Sequence, residues 1–178
     1  TGTLAGGSLA VGDPVEVQPG ELAGRIRGLQ AYSTKVEQVG PGMRVAVNIT
    51  GVDKRDVKRG QVLVRPGGLR GTLLTDVHFR HLPGASRPLK HNTAVKFFSG
   101  AAESLAHVRL LDADQLAPGE DGWLQIRLAE PVALTRGDRF ILRYPSPAET
   151  IGGGVIIDPA PGRRWRRNRS EVIARLET

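Results

Sequence analysis

Four histidines, a handful of loop carboxylates and one glycine triplet are the residues here whose types invite chemistry. His78 and His81 lie three apart in a segment that reads as a strand. Side chains alternate along a strand, so the two rings face opposite sides and make a poor shared metal site. His91 precedes a strand start and is placed to meet a phosphate, although an ordinary surface histidine is the simpler reading. Asp112, Asp114, Glu120 and Asp121 cluster between strands, where paired carboxylates can do acid–base work, but a solvated loop accounts for them. Gly152-Gly153-Gly154 is not followed by the Lys-Ser/Thr pair of a phosphate-binding loop. It reads instead as a close backbone approach or a bulge in a barrel strand. No serine sits in a nucleophile-elbow pattern, and the absence of cysteine excludes disulfides and thiolate metal sites. Nothing assembles a reaction. The expectation is therefore no catalytic residue, no metal and no enzyme in this chain.

The charge balance points to binding. Twenty-five Lys and Arg against eighteen Asp and Glu give a net charge of +7, which favours a polyanionic partner, nucleic acid first. No apolar run approaches the roughly 18 residues of a membrane helix, and no signal peptide is visible. Met43 is the only methionine, so Thr1 is not a natural start. The chain is expected to be a piece of something longer, with a domain upstream.

The elements that position these residues are strands. Apolar and polar residues alternate at 13–18, 43–49 and 123–128, and more briefly at 25–29, 61–64, 73–80, 93–98, 105–111, 139–143 and 155–158. Pro19-Gly20, Pro41-Gly42, Pro83-Gly84, Pro118-Gly119 and Gly137-Asp138 punctuate them as turns. Many short strands at this spacing predict an all-β chain of two consecutive Greek-key β-barrels. A composition break at Arg65-Pro66-Gly67-Gly68 divides them into 1–68 and 69–161. The remaining 162–178 packs five arginines into the seven residues from Arg163 to Arg169. Asn168 then stands three before Glu171, a capping-box-like spacing, with Val172, Ile173 and Leu176 at helical intervals. This reads as an Arg-rich linker entering a truncated C-terminal domain.

Two stretches carry a family resemblance. Thr1-Gly2-Thr3, Val11-Gly12-Asp13, Val15-Glu16-Val17, Gly42 to Asn48, Gly51-Val52-Asp53 and Val57 to Leu63 resemble the second domain of translational GTPases of the elongation factor Tu type. Glu130 to Leu134, Gly137 to Arg143 and Thr150 to Val155 resemble the end of their third domain. Within that group the chain is most similar to selenocysteine-specific elongation factors. Thr150-Ile151-Gly152-Gly153-Gly154, the stretch 105–112, the short loops of the second barrel and the Arg-rich continuation carry that likeness. The resemblance implies a preceding GTPase domain holding GTP and magnesium, with no cofactor in this chain. It implies that the first barrel holds the aminoacyl end of selenocysteinyl-tRNA and the second rests on the T-stem. It further implies a monomer, a cytoplasmic setting, the ribosome at recoded UGA codons as destination, and an mRNA hairpin bound by C-terminal domains.

Arg44 is the sharpest residue in that light. Alternation sets it opposite Val45, Val47 and Ile49, on the outer face. Elongation factor Tu has an asparagine at the matching place in its amino-acid pocket, and the selenocysteine factors have an arginine. A selenol is more acidic than a thiol, which titrates near pKa ~8.5, so selenocysteine is largely anionic at neutral pH and serine is not. One charge pair near 4 Å at an effective dielectric near 20 is worth about 4 kcal/mol before desolvation. A third of that gives about tenfold discrimination. Facing a seryl group the same arginine loses hydration without gaining a counter-charge. Gln30 and Tyr32 fall where the matching loop lines the amino acid and the terminal adenosine. Tyr32 suits either packing on the aminoacyl group or a base or a place in the barrel rim. Gly100, Ala101, Ala102, Arg143 and Tyr144 match T-stem-contacting stretches, with Gly100 in place of an arginine. Such phosphate contacts position a tRNA and do not read its bases. The alternatives are the equivalent piece of another tRNA-carrying GTPase, or a basic β-barrel that binds a protein.

Overall fold

A computed structural model describes residues 1–177, and the chain divides into two units, Thr1–Arg70 and Gly71–Thr178. Each segment expected to be a strand from its alternation falls on one. Among the described residues no helix is long and apolar enough to cross a membrane.

The first unit contains β1 (Gly2–Thr3), β2 (Leu9–Ala10), β3 (Pro14–Gln18), β4 (Leu22–Ala31), β5 (Thr34–Val36), β6 (Gln38–Val39), β7 (Arg44–Thr50) and β8 (Val62–Val64). Its main sheet runs β1-β7-β4-β3-β8, with β5 added beside β4, and β2 pairs with β6 separately. The pairing makes an open half-barrel around Leu9, Val15, Ile26, Leu29, Ala31, Val39 and Val45.

One irregularity in β4 decides what faces outward. Ile26 pairs with Ile49 and Gly28 with Asn48, so Arg27 is an extra residue, a bulge. A bulge shifts the parity of a strand. Before it the buried residue is even-numbered, Ile26; after it the buried residues are odd-numbered, Leu29 and Ala31. Gln30 therefore leaves the core.

The second unit contains β9 (Gly71–His81), β10 (Leu89–Lys90), β11 (Ala94–Ser99), β12 (Ala102–Leu110), β13 (Gln115–Leu116), β14 (Asp121–Ala133), β15 (Arg139–Tyr144), β16 (Glu149–Asp158) and the helix α1 (Ser170–Leu176). Six of these strands close into a barrel in the order β11-β12-β14-β9-β16-β15. The first strand, β9, lies beside the fourth, β14, which is the Greek-key arrangement. Val77, Phe79, Phe97, Leu124, Ile126, Phe140 and Leu142 are among the residues filling it.

Closure depends on the glycine triplet. A Cβ on Gly152 would lie 2.3 Å from the Arg80 carbonyl oxygen, on Gly153 2.5 Å from that of Phe140, and on Gly154 1.9 Å from that of His78. No side chain fits between β16 and its neighbours β9 and β15. This is the close approach expected from the sequence.

The tail 162–169, expected as a linker, lies against the second barrel. Trp165 is 5% exposed and packs with Leu111 and with Leu176 of the helix. The helix start differs from the capping-box expectation. Its N-cap is Arg169, with no side-chain cap, whereas Asn168 is left-handed at φ +53°. The Asn168 amide donates to the Leu111 carbonyl at 2.7 Å. Anchoring the strap to the barrel takes Asn168 out of the capping position.

Gly154→Ala is expected to destabilise the protein by about 3 kcal/mol or more, the upper end of ordinary overpacking, because the obstacle is a backbone carbonyl. Urea unfolding of the variant against the parent measures it.

Candidate functional site

In the first unit, of the three residues matched to an aminoacyl pocket, Arg44 and Gln30 share one face and Tyr32 stands at the adjoining hairpin tip. Arg44 opens β7 and pairs with Thr3 of β1. Gln30 pairs with Ala46 of β7 and with Lys35 of β5. Arg44 and Gln30 are thus diagonal neighbours on adjacent strands, a relation that puts side chains about 7–8 Å apart. Tyr32 and Ser33 form the two-residue turn between β4 and β5, both left-handed at φ +50° and +63°, as hairpin turns of the primed types require. Tyr32 is 86% exposed, which rules out the packed-rim role. Arg44 and Gln30 are exposed too. Among the described residues no ion pair or hydrogen bond engages the Arg44 guanidinium. The face therefore offers a free cation, an amide and an exposed aromatic ring at one end of the sheet.

The residues of the second unit matched by resemblance to T-stem contacts are dispersed. Gly100, at φ +56°, and Ala101 form the turn between β11 and β12. Arg143 leaves the outer face of β15, beside Lys96 of β11. Ser99 next to the turn donates its hydroxyl to the Arg139 carbonyl. Arg143 is four residues further along β15, about 13 Å by strand rise. Ala102 and Tyr144 turn inward, at 9% and 2% exposure. Arg87 lies 4.2 Å over the Tyr144 ring, and its hydroxyl is 3.5 Å from the Pro88 carbonyl. The Tyr144 side chain is a core element, because strict alternation after outward Arg143 leaves it no other direction. Lys96 is a cation beside Arg143 that the sequence reading passed over. Its outward position in the alternating run 93–98 was the available signal.

The histidines separate as their spacing dictates. His81 is buried inside the barrel with Nδ1 3.2 Å from the Leu116 carbonyl. His78 is outside, 2.9 Å from Asp121.

The most perturbed acid is one the sequence reading did not single out. Arg109, Gln125, Asp76 and Asp158 form one row across β12, β14, β9 and β16. Asp76 points outward from the barrel yet is fully buried, because Trp165 lies on it. Trp165 Nε1 donates to one carboxylate oxygen of Asp76 and Gln125 Nε2 donates to the other at 2.8 Å. The Gln125 amide also donates to the Arg163 carbonyl, and its oxygen accepts from the Trp165 backbone amide. Arg163 and Arg175 sit 4.4 and 5.0 Å from the Trp165 ring centroid. Burial pushes the Asp76 carboxyl up to about 6, against the two hydrogen bonds that favour its charge. Such a shift marks functional acids elsewhere. Here one oxygen is taken by Trp165 of the strap and the other by Gln125 of the barrel, so the network fastens the tail to the barrel.

Residues 77–163 match the family model described as selenocysteine-specific elongation factor, beta-barrel domain. Over 172 residues the chain is 39% identical to the selenocysteine-specific elongation factor of Desulfomicrobium baculatum, covering 97% of this chain and 27% of that protein. The chain belongs to the selenocysteine-specific elongation factor family. It spans about a quarter of the length of that curated relative. In this member of the family, Asp76 and Trp165 flank the matched barrel segment on either side, so their contact ties its two ends together.

The Asp76 shift has a signed consequence. The folded protein holds that proton to about pH 6, and the unfolded chain releases it near its ordinary 3.8. Between these values the folded state binds more protons, so this group's contribution to stability falls as pH rises from about 4 to 6. Asp76→Asn removes the titration. Thermal melts of both proteins should show the Tm of the parent, relative to the variant, falling over that window and constant above it.

Proposed function

We propose that this chain is the part of a selenocysteine-specific elongation factor that holds selenocysteinyl-tRNA for delivery to the ribosome, with Arg44 recognising the selenolate. The reading assigns the chain a binding role and no catalysis. It gives no residue here a role in holding GTP or magnesium, and it takes the cytoplasm as the setting and an mRNA hairpin as a partner of the whole factor.

The observation that carries the reading is the free Arg44 guanidinium on a face shared with Gln30, beside the hairpin tip that bears the exposed Tyr32. A cation already paired with an acid would have to give that partner up before meeting a ligand. Arg44 has no such partner among the described residues, so an arriving selenolate meets an available charge. Tyr32 stands at the hairpin tip, where a ring can stack on a base or cover the aminoacyl group and lower the local dielectric. Gln30 supplies a neutral donor and acceptor for the ester or the ribose. The +7 charge adds a sequence-independent attraction to the tRNA backbone.

In the full-length factor, Arg44→Ala should cut the preference for selenocysteinyl- over seryl-tRNA by about tenfold, while affinity for seryl-tRNA holds or improves. Arg44→Lys, which keeps the charge but not the planar fork, should fall between. Equilibrium binding of both aminoacyl-tRNAs to the three proteins measures this. An unchanged preference in Arg44→Ala removes the selenolate role.

A further inference from the structure

The Arg-rich strap does more than fasten itself down. Docking gathers several cations from separate parts of the second unit. Arg109, on the outer face of β12, donates through Nε to the Trp165 carbonyl at 3.1 Å. Arg167 donates through Nε to the Leu110 carbonyl and through Nη2 to the Ala113 carbonyl, both at 2.8 Å, and meets Asp114 at 2.6 Å. The His91 backbone amide donates to the Asp114 carbonyl, which brings its ring to the same loop. Arg164 lies between Arg163 and Trp165 and is exposed.

These groups feel one another. Burial, and then the charges of Arg164 and Arg167, hold the Arg109 guanidinium below its ordinary value. Burial, and then Arg167, Arg109 and Arg164, hold the His91 ring below its own, with Asp114 acting the other way. The His91 Nδ1 is buried and has no hydrogen-bond partner. Within the cluster the one ion pair among the described residues is Arg167 with Asp114. Three guanidiniums and an imidazole therefore share a single, exposed carboxylate. Folding has gathered like charges that repel in the free protein, and an arriving anion would relieve that repulsion.

We propose that Arg109, Arg164 and Arg167 form an RNA-backbone site, taking a phosphodiester group on the outer wall of the second unit. Arg109 and Arg167 are pre-positioned by their carbonyl contacts, so little ordering remains when the anion binds; Arg167 keeps its Nη2 on Ala113 and on the exposed Asp114, which the arriving anion competes with. Arg164 is free to close on it, while the His91 ring, its Nδ1 buried, lines the wall beside them. The exposed Arg166 and Arg169 extend the positive charge on either side of Arg167. That line of charge suits a ligand with an anion at every unit, as RNA has, better than an acidic peptide. The site rests on the reading that the chain handles RNA, but it is independent of Arg44 and of what the tRNA carries.

The test uses the full chain and fluorescence anisotropy with a labelled RNA hairpin, a deacylated tRNA and a polyglutamate peptide, across a salt series. Arg164→Ala and Arg164→Glu are compared with Arg59→Ala, an exposed arginine of the first unit whose loss changes net charge equally. Among the described residues the Arg164 side chain makes no hydrogen bond or ion pair that supports the fold, and melts of each variant verify this. Arg164→Ala should weaken RNA binding several-fold at low salt and lower the slope of log K against log salt by about one. Arg164→Glu should do more, Arg164→Lys should retain most of the affinity, and Arg59→Ala should leave the slope as in the parent. Equal loss on the RNA hairpin and the tRNA fits a backbone contact. RNA binding that ignores Arg164→Ala and Arg164→Glu overturns this site and leaves the Arg44 reading standing. Tighter binding to polyglutamate than to RNA overturns it in favour of a protein ligand. No RNA binding at all likewise overturns this site, while the Arg44 reading is decided by the aminoacyl-tRNA comparison in the full-length factor.

Discussion

Closure of the second barrel rests on one steric constraint: β16 must pass between β9 and β15 at a separation that no side chain tolerates. Three consecutive glycines satisfy it, each removing a Cβ that would strike a backbone carbonyl. Once the ring closes, the sheet's edges are paired away, and the register across β12, β14, β9 and β16 is fixed. That register sets Arg109, Gln125, Asp76 and Asp158 in one outward row. The strap docks on this row, Trp165 buries Asp76, and the cations around Arg109 assemble. The chain of dependence runs from three missing methyl groups to an electrostatic surface.

The first unit reaches its surface by a different route. Its sheet stays open, and what faces outward is decided strand by strand. Alternation along β7 puts Arg44 outside while Val45 fills the core. In β4 the bulge at Arg27 is needed before Gln30 can join it. The hairpin turn then projects Tyr32 beyond the strands. A charge, an amide and a ring thus meet through three separate backbone devices, none of which requires the side chains to contact one another. The face is held by the sheet, which leaves its functional groups free for a ligand.

Much of this was legible in the sequence. Period-two alternation located the strands, and the Gly152 triplet without a Lys-Ser/Thr pair declared itself as a close approach. The direction of Arg44 followed from its neighbours. Other features depended on partners distant in the chain. Tyr144 looked available beside Arg143, but adjacent strand residues point to opposite faces, and it belongs to the core. Asn168 had the spacing of a helix cap, yet its backbone is committed to Leu111. Asp76 is an unremarked acid in a strand until Trp165, 89 residues later, covers it. The bulge at Arg27 leaves no local signal either, since it is a property of the pairing with β7. What the sequence withheld was long-range register, and with it the docking of the tail.

The central claim is that Arg44 discriminates by charge, and ionisation of the ligand tests it most directly. Affinity of the full-length factor for selenocysteinyl-tRNA and for seryl-tRNA should be measured side by side across the acidic-to-neutral range. The account predicts a ratio that climbs with pH as the selenol ionises and then levels off. A ratio that stays flat while the selenol passes from neutral to anionic would contradict it.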